Sequence, residues 1–180
     1  MTSTTSFLGV TSPAFKPSRA TLDAHRHAVA SMVELGHYVL YVRSMAPMVQ
    51  FYTRVVGLDV VGTTFGGRAT ALSGGRTHHE LLLLEVGDAP GPLEGRRIGL
   101  YHTGWCIGDD DAALVDAKSR CRAHGVQVLG QSDHGVSHSV YVLDPDGNEV
   151  ELYVDVEGID WANDASWLAY PVRPLDLPEE

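Results

Sequence analysis

Apolar and polar residues follow the same order twice along this chain. Residues 35–42 are rich in β-branched and aromatic side chains, which predicts a buried strand. Residues 44–57 then repeat apolar positions at helical spacing, with Ser44 as the predicted N-cap and Gly57 as the C-terminal stop. Three shorter strands are predicted after this helix, at 58–62, 68–73 and 78–86.

The same order of elements returns after the turn-rich segment 87–92. A strand is predicted at 99–107 and a helix at 109–124, which Gly125 ends. Further strands are predicted at 126–130, 137–143 and 149–155. The sequence therefore predicts an α+β fold made of two βαβββ modules, neither of which closes a core alone. Module 1 spans residues 35–87 and module 2 spans residues 99–155, within one predicted domain at 35–155.

The two flanks of this domain have a different composition. Residues 1–34 carry Ser, Thr, Pro and scattered charge, with a predicted short helix at 21–33, and we expect this arm to pack on the body or on a partner subunit. Residues 156–180 form a C-terminal tail with aromatic residues but no clear periodicity. We expect the tail to be a packed flap.

Composition excludes some classes of partner. The 13 basic and 23 acidic residues give a formal net charge of −10, so binding to a phosphate backbone has no electrostatic driving force and we expect no nucleic-acid partner. Apolar runs are short, and the N-terminus has neither a basic nor an apolar signal region, so we expect a cytoplasmic protein with no membrane contact. We expect the two cysteines to be free thiols.

Two histidines and one glutamate are the candidates for chemistry. His37 and His102 lie at matching positions near the start of each module's first predicted strand. One such histidine is typical of a hydrogen-bonded core residue, but two at equivalent positions favour a shared role. Glu151 points to the opposite face of the last strand from Val150 and Leu152. Two imidazoles and one carboxylate can hold a divalent metal and leave its other positions open.

Five segments resemble the vicinal oxygen chelate (glyoxalase/bleomycin resistance/dioxygenase) superfamily, over roughly residues 35–155. They are Gly36-His37, Thr77-His-His79, Leu100-Tyr-His102, Ser132-Asp-His-Gly-Val-Ser137 and Asp144-Pro-Asp-Gly-Asn-Glu-Val-Glu-Leu-Tyr153. The first and last are common across the superfamily. The second and fourth are more specific and resemble the single-domain type I extradiol catechol dioxygenases. The resemblance implies a cup-shaped, partly closed mixed β-sheet barrel around a metal site.

The resemblance also implies roles for particular residues and a reaction. It implies His37, His102 and Glu151 as metal ligands, His79 and Tyr141 as catalytic residues, and His134 and His138 as substrate-binding residues, with an exposed loop as the alternative for the last two. The implied cofactor is Fe(II), with Mn(II) as an alternative, and O2 is the co-substrate. The implied substrate is a small aromatic diol of the catechol type, and we expect a homodimer or a higher homo-oligomer.

Two other functions stay open at this stage. The same three ligands suit a non-oxidative lyase, isomerase or thiol transferase of the superfamily, with Mn(II), Ni(II) or Zn(II). Glyoxalase relatives place a fourth ligand on the last strand of module 1, where this chain has four leucines at 81–84, although a shift in register would present Glu80 or Glu85 instead. A metal-free small-molecule binding protein of the drug-resistance type is the third possibility.

Overall fold

The computed structural model describes residues 34–92, 95–96 and 98–178, and within them it contains two sheets. The α+β fold with paired modules is confirmed: a four-stranded sheet belongs to module 1 and a five-stranded sheet to module 2. Each sheet is mixed, and the two do not join into a closed barrel. The predicted helix at 21–33 lies outside the described residues, as does most of the predicted arm.

Module 1 contains one α-helix with a π-helical extension, a short 3-10 helix at Phe65–Gly67 and four strands. The elements are β1 (Tyr38–Val42), α1 (Met45–Phe51), a π-helical extension of α1 (Tyr52–Val56), β2 (Asp59–Thr64), β3 (Ala69–Ser73) and β4 (Leu81–Glu85). The strand order is β1-β4-β3-β2, with β1 parallel to β4 and the other pairs antiparallel. Gly57 adopts φ of 102° at the end of this helix, a conformation that favours glycine.

Module 2 repeats this topology. Its elements are β5 (His102–Gly108), α2 (Asp111–Ala123), β6 (Val128–Asp133), β7 (Ser137–Leu143) and β8 (Glu149–Asp155). The order β5-β8-β7-β6 matches module 1, and β5 pairs in parallel with β8. A two-residue strand from the tail, β9 (Arg173–Pro174), pairs with the outer edge of β6.

The hydrophobic core lies between the helices and one face of each sheet. Module 1 contributes Leu72, Leu81 and Leu83, and module 2 contributes Val150 and Leu152, all fully buried. The π-helical segment joins the modules, because the Tyr52 hydroxyl donates to Asp144 Oδ2 at 3.2 Å and the Val55 carbonyl accepts from Arg120 Nε at 3.0 Å. Burial of this shared apolar surface supplies most of the stabilisation.

The tail packs on module 2 rather than extending away from it. Leu177 is buried in the core, and Lys118 Nζ donates to its carbonyl oxygen at 3.2 Å. Tyr170 donates to Asp133 Oδ2 at 3.0 Å, and its ring lies so close to Gly135 that a Cβ there would meet it at 2.7 Å. The tail therefore holds the loop between β6 and β7.

A residue of β4 caps the start of α1. Ser44 occupies the N-cap position of α1, but its side chain makes no capping hydrogen bond, and Glu85 Oε2 accepts from the Met45 amide at 2.6 Å instead.

Cys106 is exposed and Cys121 is buried, and both are free thiols. In the described part of the chain, no helix is long and apolar enough to cross a membrane.

Candidate active site

The register of module 2 places a set of polar side chains on the face of the sheet that points away from the core. His102 lies opposite Glu149 and Gly104 lies opposite Glu151 in the β5–β8 pair, so these four residues share one face. Tyr141 lies opposite Glu151 in the β7–β8 pair and belongs to the same face. The alternate residues of β8 are apolar and buried in the core. We call this polar surface the open face of module 2.

A direct contact between His102 and Glu151 lies at the centre of this face. His102 Nε2 is 3.1 Å from Glu151 Oε2. The other carboxylate oxygen, Oε1, accepts hydrogen bonds from Ser139 Oγ at 2.6 Å and from the Tyr141 hydroxyl at 2.9 Å. One oxygen is thus held by the protein, and the other is presented to the histidine.

Tyr141 connects this pair to a second histidine. His134, in the loop between β6 and β7, has its Nε2 2.8 Å from the Tyr141 hydroxyl. Burial, together with the hydrogen bond to Glu151, raises the pKa of Tyr141 well above its usual range. Tyr141 is therefore protonated at neutral pH, and its hydroxyl donates a hydrogen bond to Glu151.

Module 1 contributes a separate histidine cluster. The rings of His37 and His79 have centroids 4.5 Å apart, and those of His78 and His79 are 4.4 Å apart. His78 and His37 are exposed and His79 is half-buried. Partial desolvation and the neighbouring charges of His78 and His37 lower the pKa of His79 below its ordinary value.

The last strand of module 1 has a leucine where module 2 has its glutamate. In the β1–β4 pair, Val39 lies opposite Leu82. In the β5–β8 pair, Gly104 lies opposite Glu151. The two pairs correspond, so Leu82 is the equivalent of Glu151. Neither neighbouring carboxylate replaces it. Glu80 accepts hydrogen bonds from the loop between β3 and β4, and Glu85 accepts from the Met45 amide. The position of a fourth ligand is therefore apolar.

A cavity of about 860 Å³ runs between the first strands of the two modules. Its walls include His37 and Arg76 from module 1 and His102, Cys106 and Tyr153 from module 2. This volume suits a small organic ligand. His37, directly before β1, and His102, at the start of β5, therefore both border this cavity.

His102 and Glu151 carry two donor groups of the kind that suits a divalent metal. His102 and Glu151 aim a nitrogen and an oxygen at each other, and Gly104 leaves the neighbouring space open, because a Cβ there would lie 3.3 Å from Glu151 Oε2. Imidazole and carboxylate donors suit Fe(II) and Mn(II). His37 is the third donor that the sequence predicts, but among the described residues no three His, Cys, Asp or Glu side chains form a metal-binding group as they stand.

The structure does not bring His138 to this site. Its neighbours in β7 alternate faces, and His138 lies on the core side, where Nδ1 is 2.7 Å from Asp111 Oδ1 and Nε2 is 3.7 Å from Asp133 Oδ1. His138 and Tyr141 are three residues apart on one strand, so they cannot share a face. The predicted substrate-binding role of His138 has no support in this geometry.

Sequence reasoning missed two residues of the site. Ser139 makes the shorter of the two hydrogen bonds to Glu151 Oε1, and Gly104 provides space beside Oε2. The period of two along a strand could have found Ser139, because it shares the face of Tyr141. No signal in the sequence distinguishes Gly104 from the chain's other glycines.

The chain matches a known family model over most of its length. The model described as the Glyoxalase/Bleomycin resistance protein/Dioxygenase superfamily matches residues 34–152. The chain belongs to this superfamily, which confirms the resemblance found in the sequence. Solved structures agree: a glyoxylase/bleomycin resistance protein/dioxygenase domain from Frankia sp. EAN1pec, 16% identical, superposes over 70% of this chain and 100% of its own with a TM-score of 0.58, which shows the fold alone.

Individual relatives include dioxygenases and a lyase. Catechol-2,3-dioxygenase of Bacillus subtilis strain 168 is 34% identical over 72% of this chain and 44% of its own length. Biphenyl-2,3-diol 1,2-dioxygenase 3 of Rhodococcus globerulus is 34% identical over 67% of this chain and 63% of its own. The solved lactoylglutathione lyase from Agrobacterium tumefaciens is 27% identical over 69% of this chain and 96% of its own, with a TM-score of 0.51. The chain thus spans about half to two thirds of the length of these two dioxygenases.

Proposed function

We propose that this protein is an extradiol ring-cleaving dioxygenase that inserts O2 into a catechol-type substrate. The observation that supports this best is the His102–Glu151 contact, in which one carboxylate oxygen is held by Tyr141 and Ser139 and the other faces the imidazole. The similarity to two dioxygenases that are named for aromatic diols supports the substrate class. Cytoplasmic location, a homodimer and the domain boundaries stay predictions.

His37, His102 and Glu151 would hold a mononuclear non-heme Fe(II), or Mn(II) in its place. When bound, the metal would bring a catecholate and O2 into one coordination sphere and activate them for reaction. The carboxylate and two neutral imidazoles leave a residual positive charge, which favours an anionic diol. Ser139 and Tyr141 fix the carboxylate so that only Oε2 is available to the metal.

The remaining site residues handle protons and exclude water. His79 would take a proton from a substrate hydroxyl and return one as the ring opens, because a histidine titrates near neutral pH and serves in both directions. Tyr141 and His134 already share a hydrogen bond at 2.8 Å and would contact a substrate oxygen from the module 2 side. Leu82 and Leu84 are half-buried and make the face of β4 that points away from the core apolar.

The lyase alternative has one observation in its favour, the similarity to lactoylglutathione lyase. It has the same three candidate ligands. The apolar Leu82 at the position equivalent to Glu151 disfavours a fourth ligand and hence a four-ligand glyoxalase site. A metal-free binding protein would have no need of the carboxylate geometry at Glu151.

The test is anaerobic reconstitution with Fe(II), followed by a panel of catechols and the admission of air. We expect stoichiometric O2 uptake with a yellow semialdehyde product from the wild type. Glu151→Gln should abolish uptake and lower metal retention, because it removes the anionic donor. Asp155→Asn is the matched control, a carboxylate-to-amide change on the same strand and face, and should behave as the wild type. Metal retention without O2 uptake across the panel would reject the dioxygenase and favour the lyase, and absence of metal binding would favour the binding protein.

A further inference from the structure

Glu80 organises the loop between β3 and β4 by accepting backbone hydrogen bonds. Its Oε2 accepts from the Gly74 amide at 2.9 Å, and its Oε1 accepts from the amides of Arg76 and Thr77 at 3.1 and 3.0 Å. The carboxylate is almost fully buried, so these bonds are protected from water. Ser73 Oγ adds a hydrogen bond to the Thr77 carbonyl at 2.8 Å. The loop that leads into His78 and His79 is therefore closed around a single side chain.

Arg76, at the tip of this loop, connects it to the segment before β1. Its Nη2 donates to the carbonyl oxygens of Leu35 and Gly36 at 2.7 and 3.2 Å. Its Nε lies 3.8 Å from Glu80 Oε1. Residues 34–37 have no regular secondary structure, so these bonds fix the backbone immediately before His37.

The backbone of Glu80 adds a second connection between the same two segments. Its carbonyl oxygen accepts from the Tyr38 amide at 3.0 Å, directly after His37, and so extends the pairing of β1 with β4 by one residue. His37 and His79 are thereby held between the two connections, with ring centroids 4.5 Å apart. Neither carboxylate oxygen of Glu80 is free for a metal, because each already accepts backbone hydrogen bonds.

We propose that Glu80 and Arg76 form a clamp that positions His37 and His79 relative to each other and to the cavity. Both are positioning residues: they act through the two histidines and do not touch the reacting atoms. The inference rests on the proposed function for the roles of His37 as a metal ligand and His79 as the acid/base residue. The clamp fixes the one proposed ligand that lies outside a strand, whereas His102 and Glu151 are held by the β5–β8 pair.

The first test measures the clamp without catalysis. Arg76→Ala should speed amide hydrogen exchange over residues 34–38 and weaken Mn(II) binding about tenfold, as followed by the EPR signal of the free ion. Arg43→Ala is the matched control. Its side chain is 50% exposed, against 49% for Arg76, and it also donates to a backbone carbonyl, that of Ala89 in the segment after module 1. The control should change neither measurement. Wild-type exchange and wild-type Mn(II) affinity in Arg76→Ala would overturn the clamp.

The second test separates positioning from a general loss of stability. With Fe(II) bound, Arg76→Ala and Glu80→Gln should lower kcat for a catechol about tenfold while changing KM little, because a displaced base affects the proton step more than substrate binding. Arg76→Lys retains a donor for one carbonyl and should recover part of the rate. Equal loss in Arg76→Lys and Arg76→Ala, together with a lowered Tm in both, would mean a merely structural role.

The two proposals fail in different ways. If the wild type takes up no O2 with any catechol, while Arg76→Ala still alters exchange and Mn(II) binding, the dioxygenase is wrong and the clamp stands as a device for the metal ligand. If the wild type takes up O2 and Arg76→Ala does so at the same rate, the clamp is wrong and the dioxygenase stands.

Discussion

Two connections occupy equivalent places in the two modules, one between β3 and β4 and the other between β7 and β8. Each connection is organised by one carboxylate. In module 1, Glu80 accepts from the amides of the loop. In module 2, Asp144 Oδ1 accepts from the amides of Asp146 and Asn148 at 3.0 and 2.8 Å, and Asn148 Nδ2 donates to Oδ2. A carboxylate that closes a turn on backbone amides is thus used twice.

The two connections differ in what lies next to the carboxylate. Asp144 also accepts from the buried Tyr52 hydroxyl of module 1, so its turn is part of the contact between the modules. Glu80 lies beside the half-exposed Arg76 and directly after His79. The equivalent positions have diverged: one joins the two halves of the protein, and the other supports a residue of the proposed site.

The surroundings shift the two acids in opposite directions. For Asp144, desolvation by burial outweighs its hydrogen bonds and raises its pKa above the ordinary 3.8. For Glu80, desolvation also acts to raise the pKa, but backbone hydrogen bonds from Gly74 and Thr77, with the charge of Arg76, outweigh it, so the pKa is lowered from the ordinary 4.5. The surroundings of Glu80 therefore favour its ionised form, whereas those of Asp144 favour its protonated form.

The largest expected effect is on stability. Asp144→Ala should lower the free energy of unfolding by about 3 kcal/mol, because it leaves buried donors, including the Tyr52 hydroxyl, without their acceptor. Glu80→Ala should cost less, about 2 kcal/mol, because the freed amides are nearer to water. Urea unfolding measures both, with the exposed Asp88→Ala as a control that should match the wild type. A larger loss for Glu80→Ala would reverse the comparison.

A smaller effect is expected in the dependence of stability on pH. Glu80 binds its proton more weakly in the folded state, so its contribution relative to Glu80→Gln is fully present above about pH 4.5 and is lost as pH falls through the folded pKa. Asp144 binds its proton more tightly in the folded state, so its contribution relative to Asp144→Asn is greatest below pH 3.8 and falls as pH rises through the folded pKa. Urea unfolding across the acid range should give slopes of opposite sign, and slopes of the same sign would contradict the assigned shifts.

The smallest effect concerns the hydrogen bond between the modules. Tyr52→Phe should lower the free energy of unfolding by about 1 kcal/mol, because one buried bond is lost while Asp146 and Asn148 still hold the turn. Mn(II) binding should be unchanged, since the open face of module 2 is untouched. A change in Mn(II) affinity would show that the turn also positions the site.

Much of the fold could be predicted because its signals are local. The strands predicted at 137–143 and 149–155 match the observed β7 and β8. Apolar residues alternate along both strands, and the turn that begins at Asp144 separates them. The start of β1 was predicted three residues too early. Leu35 and Gly36 are held by Arg76 from a distant loop, and a contact of that kind leaves no periodic pattern in the sequence.

The site was predicted less completely than the fold. His102, Glu151 and Tyr141 lie together as their strand positions implied, and His134 joins them through Tyr141. His138 does not lie with them. Successive residues of a strand point to opposite faces, and a cluster of histidines in the sequence does not show which face each histidine occupies. Glu80 was considered only as a possible ligand, and its role in closing a loop depends on backbone amides that a sequence cannot reveal.

The parallel pairing of β1 with β4, and of β5 with β8, also has a consequence for the order in which the chain folds. Each pair joins segments that are far apart in sequence, as the partners Tyr38 with Leu81 and His102 with Glu149 show. The antiparallel hairpins β2–β3 and β6–β7 close much shorter loops and so lose less chain entropy when they form. We therefore expect the hairpins to form early and the first strands to dock late, so that the proposed metal ligands come together only near the end of folding.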